Sequence, residues 1–227
     1  PLACFLDAGK AFATGDACLD LAPIGAEVWL SSGPTAKVTG RGTATCPGAD
    51  PSATITVDAP REHLRGDAVL PPALKDVLVY VPPEPPPEVD RAAPKELRDS
   101  LAKALTAAFP ALGAVKPRID QRARLDLDGD GTPEQLVAVA VPGKIQDDDE
   151  LLRASALFLV PDAGAPELLR ARTDTRERYT VIGALDLDGD GPRELYLNTY
   201  DADGFSLSLE RREAGGLVTL GRWACGA

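Results

Sequence analysis

Two nearly identical acidic stretches are the part of this sequence in which residue types and spacing point to chemistry. The stretch LDLDGDGTPEQLV begins at Leu125, and LDLDGDGPRELYL begins at Leu185, sixty residues later. In each copy three aspartates alternate over five positions, with a glycine at position six and a glutamate at position nine. Alternating carboxylates in a tight turn converge on one point, and the glycine lets the backbone bend so that the next carbonyl points inward. This oxygen-only set suits a hard cation of flexible coordination, Ca²⁺ before Mg²⁺ or a transition metal.

Each acidic loop offers five candidate ligands, so the sequence predicts two calcium ions. The ligands are four carboxylates and the main-chain carbonyl at position seven, where proline is acceptable because it lacks only an N–H that the ion does not need. In the first loop the candidate metal ligands are Asp126, Asp128, Asp130, Thr132 and Glu134. In the second loop they are Asp186, Asp188, Asp190, Pro192 and Glu194.

Three other interpretations of the acidic loops are weaker. A solvated Asp-Gly turn needs no carboxylates at positions one, three, five and nine, and gathering them without a counter-ion costs electrostatic repulsion. An EF-hand needs a glutamate at position twelve, where this chain has Val137 and Leu197, and it needs flanking helices. A catalytic metal needs an open coordination position, which a loop that fills the coordination sphere with protein oxygens does not leave. The ions are therefore expected to be structural.

The loops and their flanking sequence resemble the calcium-binding hairpins of integrin-type FG-GAP and VCBS-like repeats. The core pattern of that family is D-x-[DN]-x-D-G-x-x-[DE]-L, and DLDGDGTPEQL and DLDGDGPRELYL match it, with Gln135 where the second copy has Leu195. The resemblance covers about residues 117 to 227. It implies that each loop binds Ca²⁺ between two strands of a sheet. Two copies are too few to close a propeller, so we expect an open or sandwiched pair of sheets.

The sequence around the loops predicts one helix followed by two β repeats. Apolar residues recur at intervals of four between Asp90 and Phe109, with Asp90 or Pro94 at the start and Pro110 at the end. The apolar stripe, which should cover the sheet that follows, is Leu97, Leu101, Leu105 and Phe109. Each acidic loop is then flanked by strand-like sequence and followed by two further strands, an internal repeat over about 117–173 and 177–227.

A proline-rich segment divides the chain. Residues 81–89 read VPPEPPPEV, five prolines in nine residues, which predicts an extended spacer over residues 82–89. Residues 1–81 show short apolar alternations punctuated by Gly-Pro, Pro-Gly and Asp-Pro, which is typical of a small antiparallel barrel or sandwich. The strands expected there are Ala26–Leu30, Ala36–Gly40, Ala53–Val57 and Asp76–Val81.

The expected fold class is therefore mainly β with one helix. A small N-terminal β barrel or sandwich (1–81) and the spacer (82–89) precede residues 90–227, which hold the helix and two four-stranded repeat units with calcium-loop hairpins, not a closed propeller.

The composition is that of a globular protein with an excess of acid. Apolar residues make up 44% of the chain and charged residues 26%, and the formal net charge is -11. A nucleic acid or an anionic membrane would be repelled by this charge, whereas a cation would be attracted. No apolar run approaches the roughly twenty residues that a membrane span needs. We therefore expect neither a nucleic-acid partner nor a membrane span.

The cysteines favour an exported protein. Cys4, Cys18, Cys46 and Cys225 form no C-x-x-C pair and have no neighbouring histidine, which argues against zinc or a redox motif. Two disulfides are favoured over buried thiols, and any complete pairing joins Cys225 to the first fifty residues. We expect Cys4–Cys225 and Cys18–Cys46, with the two ends of the chain close together. A lipid anchor at Cys4 is the weaker alternative.

No residue pattern identifies a catalytic centre. His63 lies in polar sequence with no nucleophile to activate, Arg65–Asp67 (RGD) recurs by chance, and Trp29 and Trp223 are expected in the core. We expect an exported, bacterial, calcium-binding protein that acts as a binding or structural module at the cell surface or in the periplasm, with a protein or glycan partner. The alternative is an extracytoplasmic hydrolase with a site between the domains, which a pocket gathering His63 and several acids would favour.

Overall fold

The computed structural model is built mainly of antiparallel strands. The residues that it describes are 3–6, 11–30, 35–44, 52–59, 69–70, 78–80, 86–146, 149–186, 191–200 and 204–226. Within these residues all strand pairs are antiparallel, and no sheet closes into a barrel or a propeller. The mainly β fold that the sequence predicts is confirmed.

The N-terminal strands form a hairpin and an open sheet. The hairpin joins β1 (Ala3–Leu6) to β2 (Ala11–Thr14), and a 3-10 helix, Gly15–Leu21, follows. The sheet has the order β5-β4-β3-β6. Its strands are β3 (Glu27–Leu30), β4 (Thr35–Ala44), β5 (Ser52–Val57) and β6 (Val69–Leu70). Among the described residues its edge strands β5 and β6 do not pair with each other, so the sheet stays open where the sequence predicts a barrel or sandwich.

The strand expected at Asp76–Val81 does not join the N-terminal sheet. It is β7 (Leu78–Tyr80), and it pairs with β13 (Arg178–Leu185) of the second repeat, with Gly183 opposite Tyr80. The physical reason is that β13 would otherwise present unpaired N–H and C=O groups at a sheet edge. Residues before the proline-rich segment therefore belong to the same sheet as the second acidic loop.

One helix begins within the proline-rich segment and a second helix follows it. α1 (Pro86–Ala92) begins within it, so its second half is helical rather than extended as the sequence predicts. Prolines are tolerated in a first helical turn because the N–H groups there have no partner within the helix. α2 (Lys95–Ala108) is the long helix, and it buries the expected stripe: Leu101 and Leu105 are fully buried, and Leu97 and Phe109 are partly buried.

The two repeats have the same strand order. The first is β8 (Arg118–Leu125), β9 (Glu134–Val141), β11 (Asp149–Val160) and β12 (Glu167–Thr175), with a short β10 (Lys144–Gln146) paired to the start of β11. The second is β13, β14 (Glu194–Tyr200), β15 (Gly204–Glu213) and β16 (Gly216–Gly226). The predicted pair of four-stranded units is therefore confirmed.

The repeat sheets stack front to back. Val137 on β9 packs under the helices, and its neighbour Leu136 packs against the second sheet. In the second repeat the residue equivalent to Val137 is Leu197, and it packs against the first sheet. Equivalent faces of the two sheets therefore have the same orientation, and the first sheet is covered on both of its faces. This explains why β9 reads as the continuous apolar run QLVAVAV, whereas β14 alternates.

The N-terminal hairpin lies against the end of the chain. β2 contacts β16, so the two ends come together, as the cysteine positions predict. Cys18 in the 3-10 helix is buried, and the described part of the chain contains no free cysteine. The side chains of Cys4, Cys46 and Cys225 lie outside the described residues, so the pairing stays a prediction.

Candidate metal centre

Both acidic loops connect the first two strands of a repeat. The first joins β8 to β9 and the second joins β13 to β14. The last paired residues before each loop are equivalent, Leu125 with Glu134 and Leu185 with Glu194. Strands flank each loop on both sides, as the sequence predicts. The two hairpins differ farther from the loops, because the bulge lies between Ile119 and Gln121 in β8 and between Val181 and Gly183 in β13.

The first loop brings its three aspartates together. Asp126, Asp128 and Asp130 each place a carboxylate oxygen within 4.8 Å of the others. One oxygen of each carboxylate also supports the turn. Asp126 Oδ1 accepts from Gly129 N at 2.9 Å, Asp128 Oδ1 accepts from Asp130 N at 3.1 Å, and Asp130 Oδ1 accepts from Thr132 N at 2.6 Å. The second oxygen of each carboxylate takes no part in these three bonds.

The glutamate at position nine has a different place from the three aspartates. Glu134 Oε2 accepts a hydrogen bond from Leu127 N at 2.6 Å, across the base of the loop. It is not a member of the group of converging oxygens. Thr132, the candidate carbonyl ligand, is exposed beside Asp130. In the described geometry Glu134 therefore holds the two ends of the loop together, and the three aspartates form the candidate centre.

The second loop is described only in part. Asp188 and Asp190 lie outside the described residues, and Pro192 is exposed. Asp186 Oδ2 accepts from Gly191 N at 3.2 Å. Glu194 is 1% exposed, and its Oε1 accepts from Arg211 Nε at 2.9 Å and from Arg211 Nη2 at 2.6 Å. A partly buried ion pair therefore engages the carboxylate that the sequence assigns to the second metal site.

The two loops contact each other. Arg193 N donates to Leu127 O at 2.8 Å, and Arg193 Nη1 donates to Asp126 O at 3.0 Å. Arg193 Nη2 also lies 3.6 Å from Asp126 Oδ2. Gly129 packs so closely on Gly191 that an added Cβ would overlap the Gly191 carbonyl. The first loop and the described residues of the second loop therefore form one patch at one end of the stacked sheets.

Arg193 is the residue of this patch that sequence reasoning missed. It occupies position eight of the second loop, where the first loop has Pro133. The sequence does contain a signal for this residue. An arginine placed between two acidic positions of the repeat puts its positive charge near the carboxylates of one loop or the other. The pattern does not show which loop it faces, because the arginine contacts the other copy rather than its own.

The donor set of the first loop is compatible with a hard cation of the size of calcium. Calcium–oxygen distances are about 2.4 Å, so two ligands on opposite sides of one ion lie about 4.8 Å apart. The three aspartate oxygens lie within that separation. All three donors are carboxylates, which are hard ligands, and two of these aspartates are exposed, so water can complete the coordination sphere. Arg193 lies at the side of Asp126 and supplies one positive charge to this patch.

Comparison of the chain with protein-family models, with curated proteins and with solved structures gave no match. Of the other residues that the sequence singles out, Trp29 is buried, as expected. His63, residues 65–67 and the side chain of Trp223 lie outside the described residues. Among the described residues no helix is long and apolar enough to cross a membrane.

Proposed function

We propose that each acidic loop binds one structural Ca²⁺ and that the protein is a calcium-stabilised binding or structural module of the FG-GAP or VCBS-like type. The observation that carries this proposal is the convergence of Asp126, Asp128 and Asp130 on one point. One oxygen of each aspartate accepts a hydrogen bond from a turn amide, so the loop holds its carboxylates together even though their charges repel. A cation removes that repulsion and bridges the strands on either side.

The position of the loops supports a structural role for the ions. The loops touch each other where β8–β9 stacks on β13–β14, so an ion in either loop strengthens the contact between the two repeats. Two ions of charge +2 would change the formal net charge from -11 to -7. The structural role rests on this contact between the repeats, because the exposed Asp128 and Asp130 leave coordination positions open to water.

An exported location accords with the chemistry of the chain. The net charge is acidic, the described residues include no free cysteine, and calcium is abundant outside the cytoplasm. We propose a cell-surface or periplasmic role with a protein or glycan as partner. The hydrolase hypothesis stays a prediction, because His63 lies outside the described residues.

Calcium titration tests the proposal directly. An ion that binds only the folded state stabilises it by about 2.7 kcal/mol per site at a hundred times its dissociation constant. We expect chelation to lower the melting temperature, and added Ca²⁺ to restore it better than Mg²⁺, which demands octahedral geometry. Isothermal titration calorimetry should count two ions in the native protein.

Two aspartate variants make the test specific. Asp128→Asn should reduce the count by one ion, whereas Asp162→Asn should leave it unchanged, because Asp162 is an exposed loop residue outside both acidic loops, in a long contact with Arg124. Melting that is indifferent to chelator, together with no calorimetric binding at millimolar Ca²⁺, would show that the loops are only turns.

A further inference from the structure

A cavity of about 370 Å³ lies between β12 of the first repeat and the sheet of the second repeat. Its walls come from β12, β13, β14, β15 and β16, at the end of β13 and β14 that is opposite to their acidic loop. The volume falls in the range of small-molecule sites, about 300–1,000 Å³. Because the cavity lies at the opposite end of these strands from the acidic loop, it is separate from the candidate metal centre and does not depend on it.

The cavity exists because the two repeats differ at equivalent positions. In the first repeat Val137 pairs with Phe158, and in the second Leu197 pairs with Ser208. Two residues farther along the strands, the first repeat has the pair Val139–Ala156, and the second repeat has Thr199–Ser206 at the equivalent position. The first repeat thus fills this face with apolar side chains under the helices, whereas the second places small hydroxyl-bearing side chains there. Ser206 and Ser208 are themselves buried.

The cavity contains a buried hydroxyl whose O–H group donates to no described residue. Tyr179 is 3% exposed, and the Arg172 guanidinium, which lies close enough to lower the pKa of this phenol, can only donate to its oxygen, so the O–H group itself has no acceptor within the described part of the chain. Burial raises the pKa of Tyr179, so the phenol stays protonated and can donate. A buried polar group without a partner is costly, and cavities that stay empty in proteins are apolar. A polar occupant would satisfy this group.

Among the described charged residues around the cavity, one arginine has no ion pair. Arg170 makes a bidentate pair with Glu210 at 2.8 and 2.9 Å, and Arg172 pairs with Glu177 at 2.7 Å. Arg222 lies opposite Ser208 on the neighbouring strand and has no ion pair with a described residue. The planar fork of an arginine matches a carboxylate in a bidentate contact.

We infer that this cavity binds a small hydroxylated monocarboxylate, with Arg222 at the carboxylate and the hydroxyls of Tyr179, Ser206 and Ser208 at the hydroxyl groups of the ligand. One spare positive charge selects a single negative charge. The serine hydroxyls both donate and accept, so they suit ligand hydroxyls better than a second anionic group. Water is the alternative occupant. If the cavity holds only water, a charged solute and a neutral solute should behave alike.

Glucuronate and glucose form a matched pair of probes for this inference, because they differ in one carboxylate. Binding is followed by the backbone amide shifts of Thr199, Ser206 and Ser208 in the intact protein at constant ionic strength. We expect saturable shifts with glucuronate and a dissociation constant at least tenfold lower than for glucose. Arg222→Gln should abolish that difference. Arg212→Gln is the control, since Arg212 lies on β15 outside the cavity and pairs with Glu167.

Three results would overturn the inference. Non-saturable shifts with both sugars would mean that the cavity holds only water. Equal affinities for glucose and glucuronate would remove the role of the charge, and unchanged selectivity in Arg222→Gln would remove the role of this arginine. Arg222 is exposed, so its variant should fold. Tyr179→Phe, which keeps the ring, should weaken glucuronate at least threefold, and unchanged affinity there would contradict the assigned hydroxyl contact.

Discussion

The two repeats share a loop and a strand order but not an environment. The first sheet is covered by helices on one face and by the second sheet on the other, so Val137, Ala138, Val139 and Ala140 are all buried. The second sheet presents leucines to the first near its loop and hydroxyls farther away, where the cavity lies. The acidic loop therefore determines the hairpin, whereas the residue types on each strand face depend on what packs against that face.

The loops themselves also differ once they are folded together. Glu134 bonds a backbone amide of its own loop, whereas Glu194 is buried in an ion pair with Arg211. Arg193 reaches from the second loop to the first, and no reciprocal contact exists within the described residues, since position eight of the first loop is Pro133. Equal motifs therefore occupy unequal sites, and the following predictions test that inequality.

The largest expected effect comes from one pair of equivalent residues on β11 and β15. Phe158→Ala should destabilise the fold by about 3–5 kcal/mol, because the ring is fully buried between the first sheet and the helices. Ser208→Ala, at the equivalent position, should cost less than about 1 kcal/mol, because it removes one oxygen from a polar cavity. Urea unfolding measures both, and similar costs would contradict the difference in packing.

The second prediction compares the two glutamates at position nine. Glu194→Gln should destabilise the fold by about 2 kcal/mol, because it removes the negative charge from the partly buried ion pair with Arg211. Glu134→Gln should change the stability of the calcium-free protein by under about 0.5 kcal/mol, because a glutamine oxygen still accepts from Leu127 N. Denaturant melts in EDTA distinguish the two, and a larger loss in Glu134→Gln would reverse the assignment.

The third prediction compares two glycines of the first loop. Gly129 and Gly131 both have a positive φ, 76° and 86°, so an alanine at either is strained by about 1 kcal/mol. Only at Gly129 would the new Cβ overlap the backbone of Gly191, and Gly131 faces open space. Gly129→Ala should therefore lose about 1 kcal/mol more than Gly131→Ala in thermal melts. Equal losses would mean that the loops do not touch in solution.

The smallest effect is expected at Arg193. Its guanidinium lies 3.6 Å from Asp126 Oδ2, where a bound cation would be repelled. Arg193→Gln should tighten calcium binding at the first loop by a few-fold, about 0.5–1 kcal/mol, because the pair is partly exposed and screened. Calorimetry in the presence of Asp188→Asn isolates that loop. Arg176→Gln, outside both loops, is the control, and weaker binding in Arg193→Gln would mean that the arginine supports the site.

Local patterns in the sequence were sufficient for much of the fold. Three patterns are visible in the sequence without knowledge of the fold. They are the sixty-residue repeat, the alternating aspartates, and the four-residue spacing of Leu97, Leu101 and Leu105. Strand order, loop placement and the buried face of α2 follow from such short-range periodicity. The candidate ligands Asp126, Asp128 and Asp130 also belong to this class, because five consecutive residues bring them together.

Other features depend on which surfaces meet. The pairing of β7 with β13, the reach of Arg193 to Asp126 and the ion pair of Glu194 with Arg211 join residues that no local period relates. Front-to-back stacking then makes the equivalent residues Val137 and Leu197 face different partners. Long-range packing selects among surfaces that are equally apolar in the sequence, so these contacts and the hydroxyl-lined cavity come from the folded arrangement of the two sheets.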